Sequence, residues 1–206
     1  MDANQTVHIV DDDSDVADSM SMLLESTGLR TQQYHSAEEF LRYPIDLLMG
    51  CLILDVRMPD MNGLDLHQEI KRSNPNLPVV FVTGHGDVPM AVQAMKNGAL
   101  EFLQKPFRDQ EFIDCVNRAL KTNSKALNGL NRRRSIQVRI ESLTKREYEI
   151  MRLIAEGNIT KVVAVKLNIS PRIVEIHRAR TMEKMQAKTL AQLVQMVVEA
   201  GDRESL

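Results

Sequence analysis

Four short apolar runs, at residues 7–10, 52–54, 79–82 and 102–103, punctuate the first half of the chain, with a weaker run at 29–34. Turn-forming residues follow them, and continuous apolar runs of this length read as strands buried on both faces of a parallel sheet. Between the runs, apolar positions recur at helical spacing. Val16, Met20, Leu23 and Thr27 form one stripe, with Gly28 suited to the C′ position. Ser36-Ala37-Glu38-Glu39 has capping-box form ahead of Phe40 and Leu41. Residues 63–72 bring Leu64, Leu66 and Ile70. Asp87 precedes Val88, Ala91, Val92 and Met95, and Asn97-Gly98 stops that helix. Phe112, Cys115, Val116 and Ala119 define a last one. This alternation of strand and helix predicts an α/β doubly wound, parallel five-stranded sheet.

From Thr122 the pattern changes. Thr122-Asn123-Ser124-Lys125 and Asn128-Gly129 are polar and loop-like, and Arg132-Arg133-Arg134 is a basic cluster. This stretch reads as a linker over residues 123–139, with Ile136, Ile140 and Leu143 able to support a short helix near its end. The first domain then spans residues 1–122 and the second 140–206. In the second, Thr144-Lys145-Arg146-Glu147 and Thr189-Leu190-Ala191-Gln192 repeat the capping-box pattern, and Ser170-Pro171 supplies an N-cap followed by proline at N1. These helix starts predict a small all-α domain. Val162-Val163-Ala164-Val165 has strand-like propensity, and periodicity alone leaves it open.

Charge sharpens the division. Of the 206 residues, 1–122 carry 10 Lys and Arg against 19 Asp and Glu, net −9, whereas 123–206 carry 16 against 9, net +7. The total of −2 hides an acidic module joined to a basic one, the latter suited to nucleic acid or a membrane surface. No apolar run reaches the roughly 18 residues that span a bilayer. The start, Met1-Asp2-Ala3-Asn4-Gln5, lacks the features of a secretion signal. Cys51 and Cys115 form no CxxC and no metal spacing with histidine, which suits a reducing, cytoplasmic setting.

Ligands of open α/β sheets sit beyond the carboxyl ends of the strands. There, Asp11 and Asp12 follow Val10, Asp55 follows Leu54, Thr83 follows Val82, and Lys105 follows Leu103-Gln104. Parallel strands bring three carboxylates, a hydroxyl and an ammonium to one edge. The carboxylates repel one another unless a cation neutralises them, and Mg²⁺ suits such oxygen donors. Asp55 ends a central strand and is the best candidate for a nucleophile toward a phosphoryl group. Thr83 and Lys105 then balance charge on its oxygens. Acidic residues after strands also serve as caps and turns, so spacing alone leaves both readings open.

The segments Val10-Asp11-Asp12-Asp13, Leu54-Asp55-Val56-Arg57-Met58-Pro59-Asp60-Met61-Asn62-Gly63-Leu64, Val82-Thr83-Gly84-His85-Gly86-Asp87 and Phe102-Leu103-Gln104-Lys105-Pro106-Phe107 resemble the receiver domain of two-component response regulators, most closely the FixJ type. The resemblance implies a flavodoxin-like receiver over residues 5–121. It implies that Asp55 accepts a phosphoryl group from a sensor histidine kinase. Asp11, Asp12, Asp55 and the backbone carbonyl of Arg57 are then the Mg²⁺ ligands. It further implies phosphoryl contacts from Thr83 and Lys105, a cis Lys105-Pro106 peptide, and Phe102 as a switch aromatic that turns inward as Thr83 moves. A plain core phenylalanine is the other reading of Phe102.

Leu143-Thr144-Lys145-Arg146-Glu147, Ala155-Glu156-Gly157, Lys161, Ala164, Leu167-Asn168-Ile169-Ser170, Val174-Glu175-Ile176-His177-Arg178 and Lys184-Met185 resemble a LuxR-type helix-turn-helix. The resemblance implies a helix at 162–165. Thr160 stands where that family commonly has Asn, and Ile173 where it has Thr, both at helix starts. The helix after Ser170 is then the recognition helix. Val174, His177, Thr181 and Met185 share an inward stripe. Arg172, Glu175, Ile176 and Ala179 face outward with Glu183, and Arg178 and Arg180 flank that face to meet phosphates. Glu175 is suited to accept from cytosine N4 and Ala179 to touch a thymine methyl.

The resemblance implies a phosphorylation-activated transcription regulator whose partners are a sensor histidine kinase, double-stranded promoter DNA and a second copy through the fourth helix and fifth strand, with RNA polymerase a possible further one. It implies no enzyme beyond Mg²⁺-dependent self-phosphorylation and slow self-dephosphorylation. A phosphohydrolase of the Asp-nucleophile class is the competing reading. That class usually places a second Asp two residues after the nucleophile, where this chain has Arg57. A constitutive DNA-binding protein with a degenerate receiver is disfavoured, because Asp11, Asp12, Asp55, Thr83 and Lys105 are all present.

Overall fold

A computed structural model describes residues 5–84 and 88–201. The chain divides into two compact units, Met1–Leu127 and Asn128–Leu206.

The first unit contains β1 (Thr6–Val10), α1 (Ser14–Ser26), β2 (Thr31–Tyr34), α2 (Ala37–Leu41), β3 (Gly50–Leu54), α3 (Gly63–Ser73), β4 (Val79–Thr83), α4 (Val88–Lys96), β5 (Glu101–Gln104) and the start of α5 (Asp109–Glu141). The strands pair in parallel, as the apolar runs predict, and stand in the order β2-β1-β3-β4-β5. Side chains alternate across a strand, so β3 sends Cys51 and Ile53 to one core and Leu52 and Leu54 to the other. The first core lies against α1 and α5 and includes Met20, Leu24, Phe112 and Val116. The second lies against α2, α3 and α4 and includes Phe40, Leu66, Ile70, Phe81 and Ala94.

Two helix faces and one connecting stretch differ from the periodic reading. In α1 the buried positions are Ala17, Met20, Ser21 and Leu24, with Val16 and Leu23 only partly covered and Thr27 outside the helix as its C-cap. Ser21 tolerates burial because its hydroxyl meets Thr31 Oγ1 at 2.6 Å. In α4 the stripe of Val88, Val92 and Met95 is exposed, and Ala94 is the buried residue. Asp87, expected to open that helix, lies outside the described residues.

The third difference is larger. The stretch 123–139 is no loop; it is helical, within the 33 residues of α5. Asn128-Gly129 reads as a breaker, yet a mid-helix glycine costs only about 1 kcal/mol. Both ends of this stretch are anchored, by buried Asn123 and by buried Ile136 and Ile140. The polar residues between complete the backbone ladder that those anchors already constrain.

Two histidines are buried, His8 on β1 and His67 on α3. His8 Nδ1 lies 3.0 Å from the Tyr34 hydroxyl, and His67 packs edge-on against Phe81 at 5.4 Å. Burial lowers each from 6.5 to about 4, so both are neutral in the fold.

The second unit joins the end of α5 to α6 (Lys145–Ala155), α7 (Thr160–Leu167), α8 (Pro171–Met185) and α9 (Leu190–Ala200). Residues 162–165 are helical; Val163 and Ala164 face the core, overriding β propensity. Ile136, Ile140, Met151, Met185, Leu193 and Met196 form one core, and Ile150, Ile154, Val163 and Val174 another. Thr144 and Glu147 close a complete capping box. The other two patterns close differently: Glu39 accepts from the N–H of His35 and Gln192 from that of Lys188, each one residue before the N-cap. Lys184 Nζ sits 2.7 Å from Glu147 Oε2, and that pairing holds the Glu147 carboxyl down at about 2.

Candidate functional site

Strand register alone assembles the acidic edge. Val10 pairs with Leu54 and Thr83 with Gln104, so the residues after them emerge side by side. The Asp55 N–H donates to Val10 O at 2.9 Å, and the Lys105 N–H to Thr83 O at 2.9 Å. Lys105 Nζ reaches Asp11 Oδ2 at 2.6 Å and Asp55 Oδ1 at 3.4 Å. The Arg57 N–H donates to Asp55 Oδ2 at 2.6 Å, and the Asp13 N–H to Asp11 Oδ1 at 3.1 Å. The Asp55 and Asp11 side chains are only 8% and 3% exposed, so these bonds act with little solvent screening. Burial raises the Asp55 carboxyl above its usual range, against the opposing pull of Lys105 and the Arg57 N–H.

Three consecutive aspartates separate by environment. Asp11 is buried in the ion pair, Asp12 is exposed, and Asp13 caps α1 by accepting from the N–H groups of Asp15 and Val16. Thr83 is buried at the end of β4. Gly63 lies so close that a Cβ there would stand 2.1 Å from Asp55 O, a constraint hidden in the sequence. The Lys105-Pro106 peptide is cis. Phe102 is half-buried, its ring 6.3 Å from Phe81. Beside Lys105 a groove of about 510 Å³ is lined by Asp15, Val16, Ser19, Met20, Leu23 and Phe107 among others.

Among the described residues, no three acidic, histidine or cysteine side chains are gathered as a ready ion cage. Lys105 stands between Asp11 and Asp55 instead. The donor chemistry nevertheless fits a hard divalent cation. Asp11, Asp12 and Asp55 offer only oxygen, and a single ammonium balances the buried pair.

In the second unit, α8 presents the expected face. Val174, Thr181 and Met185 are buried, and His177 is half-buried. Arg172, Glu175, Ile176, Ala179, Arg180 and Glu183 are exposed. Arg178 is less free than expected. It is half-buried, and its Nη1 leans to 3.7 Å from Glu175 Oε1. Thr160 Oγ1 donates to that same Glu175 oxygen at 2.5 Å. Of the basic cluster, Arg132 pairs with Glu199 at 2.7 Å on α9.

Comparison with known proteins follows the same division. Residues 7–117 match the response regulator receiver domain, and residues 141–197 match the bacterial regulatory proteins of the luxR family. The chain is 41% identical over 196 residues to the transcriptional regulatory protein FixJ of Rhizobium meliloti (strain 1021), covering 95% of this chain and 96% of that one. It is 37% identical over 201 residues to the response regulator protein TmoT of Ectopseudomonas mendocina, covering 98% and 91%. Among solved structures, the response regulator StyR aligns with a TM-score of 0.85 at 36% identity, covering 96% of this chain and all of that one. No helix among the described residues is long and apolar enough to cross a membrane.

Proposed function

The chain belongs to the response regulators that join a receiver domain to a luxR-family DNA-binding domain, and on that premise we propose that phosphorylation of Asp55 switches its binding to promoter DNA. The observation that carries this reading is the geometry at Asp55. A buried carboxylate is held through Oδ2 by a backbone N–H, with a half-buried ammonium 3.4 Å from Oδ1.

Oδ1 is the less tightly held oxygen and attacks the phosphorus of a phosphohistidine on a sensor kinase. The O–P bond forms, the P–N bond breaks, and the imidazole leaves with the electron pair. Lys105 pairs with the transferred group as its hold on Asp11 relaxes, and the Thr83 hydroxyl donates to a phosphoryl oxygen. Asp11, Asp12, Asp55 and the carbonyl of Arg57 would hold Mg²⁺, which supplies positive charge against the equatorial oxygens. The groove beside Lys105 gives the kinase an apolar footing next to the acceptor. The chain acts as a phosphoacceptor, and water slowly releases the group.

The phosphoryl group carries roughly −1.5 to −2 charge units but replaces the charge of the Asp55 carboxylate, so the net change is about −0.5 to −1. Thr83 and Phe102 are the bistable pair that carries this to the surface. The exposed stripe of Val88, Val92 and Met95 on α4, with β5 beside it, then pairs with a second copy. A dimer presents two α8 helices to half-sites about one DNA turn apart. RNA polymerase is the downstream partner, and the site of action is the cytoplasm.

The test compares DNA binding and dimerisation with and without an acyl phosphate and Mg²⁺, for the wild type and Asp55→Asn. The wild type gains both and the variant neither. An identical response in the two proteins would refute the role of Asp55.

A further inference from the structure

A carboxylate on a helix face turned toward DNA meets two obstacles. Phosphates repel it, and it accepts hydrogen bonds only, so it contributes affinity at few positions. Glu175 is such a group, with its side chain 55% exposed on α8. Left mobile, it would offer no fixed acceptor to any one base.

It is not left mobile. Thr160, half-buried at the first position of α7, donates its hydroxyl to Glu175 Oε1 at 2.5 Å. The bond crosses from one helix of the helix-turn-helix to the other. Arg178 approaches the same oxygen, but at 3.7 Å and with both side chains more than a third exposed it adds little restraint. Threonine is β-branched and stiff at χ1, which makes its hydroxyl a firm anchor. Ile159, the N-cap of α7, makes no side-chain cap, and the Thr160 hydroxyl turns to α8. Both contacts fall on Oε1, so Oε2 is the oxygen left to meet a base.

We propose that Thr160 is a positioning residue for DNA recognition, holding Glu175 so that its second oxygen accepts from the exocyclic amine of cytosine in the major groove. The inference rests on the DNA-binding reading of the second unit. The chemistry selects the base. Guanine O6 and N7 and thymine O4 are acceptors and repel a carboxylate. Adenine offers its N6 amine beside the N7 acceptor, whereas cytosine offers N4 alone.

The test is selection of bound duplexes from a randomised pool by the full chain with acyl phosphate and Mg²⁺, repeated for Thr160→Val, Thr160→Ser and Glu175→Gln. The wild type selects cytosine at one position in each half-site, by roughly 5- to 100-fold over the other bases. Thr160→Val keeps the threonine shape without the donor and loses the preference at that position alone. Its melting temperature and its affinity for non-specific DNA stay unchanged. Thr160→Ser restores the preference, and Glu175→Gln moves it toward adenine. An unchanged motif in Thr160→Val, an equal loss at all positions, or no rescue by serine overturns the role of Thr160 while the DNA-binding reading stands. If the wild type enriches no sequence, that broader reading fails first and takes this inference with it.

Discussion

Replacing Asn123 by alanine tests how the receiver is bolted together. The Asn123 side chain is buried, with residue exposure of 1%. Its Oδ1 accepts from the Gly50 N–H at 2.9 Å and from Gln5 Nε2 at 3.3 Å, and its Nδ2 donates to Asn76 O at 2.9 Å. Gly50 begins β3 with φ of 127°, and a Cβ there would stand 1.9 Å from Thr6 O, so the backbone is packed too closely to rearrange. Alanine strands the buried Gly50 N–H, at about 2 kcal/mol. The bonds to half-buried Gln5 and Asn76 add about 1 kcal/mol, because water replaces part of them. Alanine's better helix propensity returns about 0.5 kcal/mol. The net is a loss of about 2.5 kcal/mol. With an unfolding entropy of about 2.1 cal/mol/K per residue, a domain of this size melts roughly 10 °C lower. Scanning calorimetry on the full chain reads this directly, with urea unfolding to check that m is unchanged. A fall below about 1 kcal/mol would refute the bolt.

Three further outcomes follow from the same structure. His8 and His67 take up protons in the unfolded chain near 6.5 but in the fold only near 4, so their stabilisation is complete above 6.5 and is lost as pH falls toward 4. Each withdraws roughly 2 kcal/mol by pH 5, and His8→Phe with His67→Leu should flatten the stability profile between those limits; an unchanged slope would count against buried neutral histidines. Gly63→Ala forces its Cβ against Asp55 O and should slow acyl-phosphate labelling of Asp55 roughly 10- to 100-fold, an expectation that a wild-type labelling rate would end. Val92→Asp on the exposed face of α4 should keep the phosphorylated chain monomeric in sedimentation while labelling of Asp55 proceeds; dimers at the wild-type concentration would remove α4 from the interface.

Much of this molecule is legible along the chain because strands carry their chemistry at their ends. Once five apolar runs are parallel neighbours, backbone pairing alone sets Asp11 beside Asp55 and brings Lys105 next to Thr83. The inward stripe of α8 is equally local, since Val174, Thr181 and Met185 can be buried only by turning the charged face outward. Periodicity reports which positions are able to be buried. It does not report what covers them, and there the tertiary structure decided. The α4 stripe is apolar yet uncovered, whereas Ser21 is polar yet covered because Thr31 meets its hydroxyl.

Asn123 is the sharpest case. As a polar residue in a polar stretch it reads as linker, but its partners are Gln5, Gly50 and Asn76, between 47 and 118 residues away in sequence. Thr160 likewise reads as a helix start until Glu175, 15 residues later, is folded against it. Apolar burial and backbone pairing are encoded by residue type and spacing. The satisfaction of a buried polar atom depends on which distant groups the fold delivers to it, and only the folded chain contains that information.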